Sequence, residues 1–379
     1  MNKTIPYGKQ YIDKKDIINF SNSLKKEKIT TGPLVETFEI KIKNYLKSKY
    51  ALVCNSGTSA IFLALSAIGV KKGDIIVMPA VNFISSFNVS KLLGAKIYLA
   101  DVDKLTGQVT PESVEQCFKK FNLKKIKAII IMYNGGYPNY ADGFSKLKKK
   151  YNFKIIEDAC HAFGAEYRIK KKNFKVGSCK HSDICTFSFH PLKTITTGEG
   201  GAVSTNSKNF YNKMRLFRSH GIERIKKQHW KYNIKNLGLN LRLTDFQCAL
   251  GISQLAKINK FLKKRKKIVE IYKKKLKEIN QIETIHHDKK YTSSNHLFLI
   301  HIKNFSLPKK AKFIKFMLKN KIILQYHYIP IYQFKVYRGN AIKKNSETYY
   351  KNTLSLPIYH SLSLKDQNYI IEKIKSFFC

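Results

Sequence analysis

Phe187-Ser-Phe-His-Pro-Leu-Lys-Thr-Ile-Thr-Thr-Gly-Glu-Gly-Gly201 leaves an apolar run, turns at Pro191, presents Lys193 and enters a Thr/Gly-rich loop. The run before it is one of seven candidate strands: Tyr50–Cys54, Ile75–Met78, Lys96–Leu99, Ala128–Met132, Lys154–Glu157, Ile184–Phe189 and Ala202–Ser204. Segments of helical period, such as Thr58–Ile68 and Pro111–Phe121, lie between the early ones. Short β-rich runs alternating with amphipathic helices predict an α/β fold around a mostly parallel seven-stranded sheet. Such sheets bind ligands at the carboxyl ends of their strands, and Lys193 follows one of those ends. From about Thr244 a helical pattern runs through Tyr272, followed by strand-like stretches at Asn295–His301 and Ile322–Tyr328. These predict a smaller C-terminal domain, with the large domain at residues 1–250 and the small one at 251–379.

The formal charge is +46, and of 71 basic residues only seven are Arg, leaving 64 Lys spread along the whole chain. Nucleic-acid binders concentrate basic residues on one element with Arg prominent, so the pattern reads as a solvated lysine surface and no nucleic-acid partner is expected. Its field favours anionic small molecules, phosphates and nucleotides among them. Seven scattered cysteines without a Cys-x-x-Cys pair suit a reduced cytoplasmic protein and predict neither a disulfide framework nor a metal site. No apolar run approaches the roughly 20 residues that span a bilayer, and the N-terminus lacks an apolar leader core, so no membrane association is expected.

Lys193 alone is one lysine among 64, and a solvated surface amine is the ordinary reading of any of them. Two other segments change its context. Ile155-Ile-Glu-Asp-Ala-Cys-His161 places Asp158 just past a buried strand, where a carboxylate either meets a ligand or caps a following helix. His161 either touches the same ligand or is a satisfied structural histidine. Cys54-Asn-Ser-Gly-Thr-Ser-Ala60 follows a strand and opens an apolar helix, so backbone N–H groups with Thr58 and Ser59 form a phosphate cradle that Gly57 lets a ligand approach. Phe83, after the strand ending at Met78-Pro79, either stacks on a ligand ring or packs in the core.

Together the segments resemble the DegT/DnrJ/EryC1/StrS family of nucleotide-sugar aminotransferases. The likeness runs in order through Thr30-Thr-Gly-Pro33, Asn55-Ser-Gly-Thr-Ser59, Glu157-Asp-Ala-Cys-His-Ala162, Ser188-Phe-His-Pro-Leu-Lys193, Thr197-Gly-Glu-Gly-Gly201, Arg218-Ser-His-Gly221 and Asn240-Leu-Arg-Leu243. It implies fold type I of the pyridoxal 5'-phosphate (PLP) dependent transferases: a three-layer α/β/α large domain with a smaller α+β domain. Lys193 matches the lysine that holds the cofactor as an imine and shuttles the proton, and Asp158 the partner of the pyridinium nitrogen, with His161 beside them. Gly57, Thr58, Ser59 and Ser188 match phosphate contacts, Phe83 a ring contact, and Asn240 a residue reaching the phosphate from a second subunit, which implies a homodimer.

Further stretches, Pro6-Tyr7, Leu216-Phe-Arg-Ser-His-Gly221, Ser293-Ser-Asn-His-Leu297, Gln325-Tyr-His-Tyr-Ile-Pro-Ile-Tyr332 and Ser355-Leu-Pro357, resemble the family branch that acts in pseudaminic acid biosynthesis. That branch aminates C4 of a UDP-linked 4-keto-6-deoxy-N-acetylhexosamine with glutamate as donor. The resemblance assigns the sugar nucleotide to Tyr7, Glu27, Lys28, Ile29, Thr30, His327, Tyr328, Ile329 and Pro330. C4 or C3 amination of a GDP- or dTDP-linked keto sugar is the alternative. The family's sugar dehydratases carry histidine in place of the lysine at 193. Two stretches depart from the common pattern: Asn134-Gly-Gly-Tyr-Pro138, which follows a strand, and the long spacing Gly177-Ser-Cys-Lys-His-Ser-Asp183.

Overall fold

The computed structural model describes residues 4–225, 228, 230–285 and 288–378. Seven strands carry the central sheet: β1 (Tyr50–Cys54), β2 (Ile75–Pro79), β3 (Lys96–Ala100), β4 (Ile126–Met132), β5 (Lys154–Asp158), β6 (Ile184–Ser188) and β7 (Gly201–Thr205). Their order is β1-β7-β6-β5-β4-β2-β3, with β7 antiparallel to both neighbours and the pairs from β6 to β3 parallel.

Alternate residues of each strand feed different cores. Val53, Val77, Ile129, Ile131 and Ile155 join one apolar cluster, while Leu52, Ile76, Ala128, Ile130 and Ile156 join the other. Both faces of the sheet are therefore buried under helices, which is why its strands read as continuous apolar runs instead of alternating with polar residues. The fold class is the expected three-layer α/β/α.

The strand count differs by one. Among the described residues the sheet has eight strands, because Asn340–Ala341 pairs in parallel with Tyr98 and Leu99 of β3. A two-residue strand without an apolar run leaves no pattern to read. It also belongs to the C-terminal third of the chain, so residues beyond 250 return to the large sheet.

A third apolar cluster gathers around an antiparallel sheet of Ile282–Thr284, Phe298–Ile302 and Thr353–Leu356, with the helices Leu307–Lys319 and Leu364–Phe378. Ile5 joins that cluster and bridges Ile322, so the N-terminus is shared with the C-terminal unit. The helical pattern after Thr244 is two helices, Asp245–Ala256 and Ile258–Leu276, and position 250 lies inside the first. Ile322–Tyr328 forms only isolated bridges at Ile322 and Gln325. No helix of the described residues is long and apolar enough to cross a membrane. The six described cysteines are free thiols, and Cys379 lies outside the described residues.

Candidate active site

Asp158 is the last residue of β5, level with Met132 of β4 and Thr186 of β6 at the carboxyl edge of the sheet. It is buried, and its carboxylate accepts the Ser86 hydroxyl at 3.2 Å and the Cys160 N–H at 3.3 Å. A turn, not a helix, follows it, which removes the helix-cap reading. Asp158 lines a cavity of about 480 Å³ together with Lys193.

The loop that delivers Lys193 closes on Phe189. The Phe189 carbonyl accepts the Thr197 N–H at 3.0 Å and the Thr196 hydroxyl at 2.9 Å, while Phe189 N–H donates to Gly200 O at 2.8 Å. Lys193 N–H donates to His190 O at 2.9 Å, turning the side chain back toward the end of β6. Burial lowers the Lys193 pKa, and the nearby Cys160 and Asp158 groups oppose that shift.

The helix Gly57–Ala67 starts at the same edge, with the Ser56 hydroxyl capping it by accepting Ser59 N–H at 3.0 Å. Its first N–H groups have no intrahelical partner and carry the positive end of the helix dipole. A Cβ on Gly57 would stand 2.8 Å from Cβ of Ser188, so only glycine lets backbone and ligand share this space. Gly57, Thr58 and Ser188 line the cavity. The Ser59 hydroxyl instead donates to Asn55 Oδ1 at 2.6 Å.

The opposite wall comes from the C-terminal unit and the N-terminal segment: Tyr7, His296, His327, Tyr328 and Ile329 line it, with Phe83 5.7 Å from the Tyr328 ring. His161 Nε2 lies 2.9 Å from the Tyr328 hydroxyl, and its Nδ1 accepts Gly135 N–H at 3.4 Å. His327 Nδ1 pairs with the Ser355 hydroxyl at 2.7 Å, and its carbonyl accepts the Tyr349 hydroxyl at 2.6 Å. Burial, with the Lys193 charge adding to it, pushes His161 and His296 well below the ordinary imidazole range and His327 down to about 3. All three imidazoles are neutral at physiological pH.

Seven expected site residues stand apart from this cavity wall. Besides Ser59, Pro330 is buried behind it. Glu27, Lys28, Ile29 and Thr30 are exposed, with Thr30 bridged to Thr244 and Ile29 O accepting Asp245 N–H at 3.0 Å. Asn240 is exposed too and bridges Ser219. One chain does not bring these last five to its own pocket.

His296 left no such mark in the sequence; its ring lies tilted, 4.2 Å from that of His161, and its buried Nδ1 has no hydrogen-bond partner among the described residues. Its only signal was its place in Ser293-Ser-Asn-His-Leu297. Ser86, and Asn82 in the cavity wall, carried none. The two departures from the family pattern resolve differently. Gly135 and Gly136 hold His161 and Ser294 from behind, since Gly135 N–H reaches His161 and Ser294 N–H donates to Gly136 O at 3.1 Å. Gly177–Asp183 precedes β6, at the sheet edge opposite the cavity, and does not line it.

Residues 10–375 match the model of the DegT/DnrJ/EryC1/StrS aminotransferase family. The chain belongs to this family. It is an aminotransferase by that membership. A family member from Campylobacter jejuni subsp. jejuni serotype O:23/36 (strain 81-176), UDP-4-amino-4,6-dideoxy-N-acetyl-beta-L-altrosamine transaminase, is 38% identical, covering 99% of this chain and 100% of its own. The solved structure of Helicobacter pylori PseC, an aminotransferase of pseudoaminic acid biosynthesis, superimposes with a TM-score of 0.92 at 30% identity over 99% of each chain. The PLP form of the putative sugar aminotransferase Spr1654 from Streptococcus pneumoniae gives 0.90 at 26% identity, over 99% of this chain and 98% of that one.

Proposed function

We propose that this family member binds PLP at Lys193 and transfers the amino group of glutamate to C4 of a UDP-linked 4-keto-6-deoxy-N-acetylhexosamine. The observation that carries the reading is the convergence of Lys193, Asp158 and the Gly57 helix start on one cavity. The residues fit the cofactor: a half-buried amine on the cavity wall for its aldehyde, a buried carboxylate for its ring nitrogen and a glycine-opened helix N-terminus for its phosphate. When bound, PLP supplies the electron sink that lets an amino group leave one carbon and join another.

The chain's own residues do the rest. Asp158, fixed by Ser86, would pair with the ring nitrogen. The Lys193 amine, favoured as a neutral base by burial, would accept and give back the proton that the transfer moves. Thr58, Ser188 and the helix N–H groups would hold the phosphate, and Phe83 would lie beside the ring. Ser59 orients Asn55 at the cradle's edge. Tyr7 with His327 to Pro330 forms the sugar-nucleotide wall, where aromatic and imidazole faces stack on sugar or base and their polar edges meet oxygens.

Exposed Asn240 and Glu27 to Thr30 belong to the site of a second copy, so the working enzyme is a homodimer in the cytoplasm. The likeness to the Campylobacter jejuni transaminase supports the UDP sugar. The test follows the visible band of the PLP-loaded enzyme. Glutamate should bleach it, and the UDP-linked 4-keto sugar should restore it with a 4-amino sugar as product. Bleaching followed by turnover of only a GDP- or dTDP-linked keto sugar would contradict the substrate, and no bleaching would contradict glutamate.

A further inference from the structure

Beyond Gln325, which bridges Ser355, the chain leaves the C-terminal sheet, and it meets the large domain at Ile331, whose N–H donates to Ala80 O at 2.8 Å. Among the described residues, no main-chain group from Tyr326 to Ile329 bonds another main-chain group. These four residues line the cavity, so side chains set where this part of the wall stands.

Two such side chains meet at one atom. The His327 carbonyl accepts the Tyr349 hydroxyl at 2.6 Å and Asn134 Nδ2 at 3.2 Å. The same Nδ2 reaches the Tyr349 oxygen at 2.8 Å and Thr106 O at 3.2 Å. Carbonyl oxygens only accept, so the amide nitrogen of Asn134 is the end that faces them. Its Oδ1 is left buried without a donor among the described residues, a cost that an apolar side chain would not carry. Tyr349 is in turn fixed to the large domain. Asp101, just past β3, accepts the Asn345 and Ser346 N–H groups at 2.8 Å each where the helix Lys344–Asn352 begins. The Tyr349 ring fills the space over Gly107, where a Cβ would stand 2.5 Å from its Cζ. Both Asn134 and Tyr349 are buried and neither lines the cavity, so a ligand entering it does not compete for their bonds.

Asn134 opens the stretch that departs from the common family pattern. We propose that Asn134 and Tyr349 are positioning residues that set the His327–Ile329 wall through the His327 carbonyl and thereby fix its fit to the sugar nucleotide. The inference rests on the reading above, in which this wall meets that substrate. Glutamate is far smaller and depends less on the wall. With two donors on one carbonyl, either alone keeps it paired. Losing both leaves a buried acceptor unpaired, which costs more than two separate hydrogen bonds.

The test follows the two half-reactions of the PLP-loaded enzyme separately. Tyr349→Phe and Asn134→Leu should each lower kcat/KM for the keto sugar by about threefold, through KM. The double variant should lose about thirtyfold, more than the roughly ninefold product of the singles. The glutamate half-reaction should stay within about twofold in all three, with the visible band unmoved. Equal losses in both half-reactions would make the pair a merely structural contact and overturn the inference. A double variant no worse than the product of the singles would overturn it too, since the two would not act through one carbonyl. If the double variant does not retain cofactor, Tyr349→Phe decides, and an unchanged KM for the sugar sinks the inference. A wild-type enzyme that aminates no keto sugar sinks the functional reading itself, whereas a competent wild type matched by all three variants sinks only the positioning role.

Discussion

The Ser86 hydroxyl donates to Oδ2 of Asp158 at 3.2 Å, inside the protein and three residues beyond Phe83 on the loop and helix that follow β2. The carboxylate that would meet the cofactor ring nitrogen is thus oriented by a different strand's connection from its own.

Replacing Ser86 with Ala removes that donor and, among the described residues, leaves the Cys160 N–H as the hydrogen-bond donor to the Asp158 carboxylate. The expected cost is about 1 kcal/mol in PLP affinity, a several-fold rise in Kd, with the band wavelength kept. Titrating apo-enzyme with PLP measures it. An unchanged Kd would show that Asp158 needs no such support.

Lys310 is fully buried and carries no carboxylate among the described residues. Its ammonium donates to the carbonyls of Tyr350 and Thr353, at the C-terminus of the helix Lys344–Asn352, and lies 4.3 Å from the Tyr326 ring centroid. Burial lowers its pKa from 10.5 to about 7. Between those values the unfolded chain holds a proton that the folded protein has released, so stability rises with pH through this window and levels above it. Lys310→Met lacks this term. The Tm difference, wild type minus variant, should therefore grow in favour of the wild type between pH 7 and pH 10. A flat difference would show that Lys310 stays charged throughout.

Leu237 is 92% exposed and Leu239 is 51% exposed, beside the exposed Ile234 and just before Asn240. Bare apolar side chains next to Asn240 are where the proposed homodimer would place a subunit contact. Leu237→Asp with Leu239→Asp should shift the enzyme from dimer to monomer in sedimentation and weaken PLP binding at least tenfold, because Asn240 would no longer reach the second site. A dimeric variant with full cofactor affinity would place the interface elsewhere.

How much of this was legible in the sequence depends on the signal each residue leaves. β4 and β5 read clearly because Ile129 to Ile131 and Ile155-Ile156 serve cores on both faces, so every position is apolar. The pair Asn340–Ala341 completes the sheet with only two residues, too few to leave such a signature. Lys193, Asp158 and Gly57 stood out because each sits at a strand-to-turn junction in a motif. His296 and Ser86 did not, since their importance comes from what the folded chain sets beside them: the His161 ring and the Asp158 carboxylate. Asn240 and Thr30 were found by resemblance and lie away from this chain's own pocket, where only the proposed second copy would give them a task.

One lysine out of 64 is proposed to carry the cofactor. Incubating the protein with PLP, reducing with borohydride and mapping the peptides by mass tests it directly. The expected result is a single stoichiometric pyridoxyl label on Lys193, lost together with the visible band in Lys193→Ala. An unlabelled Lys193, or a label spread over surface lysines with the band intact in the Ala variant, would contradict it.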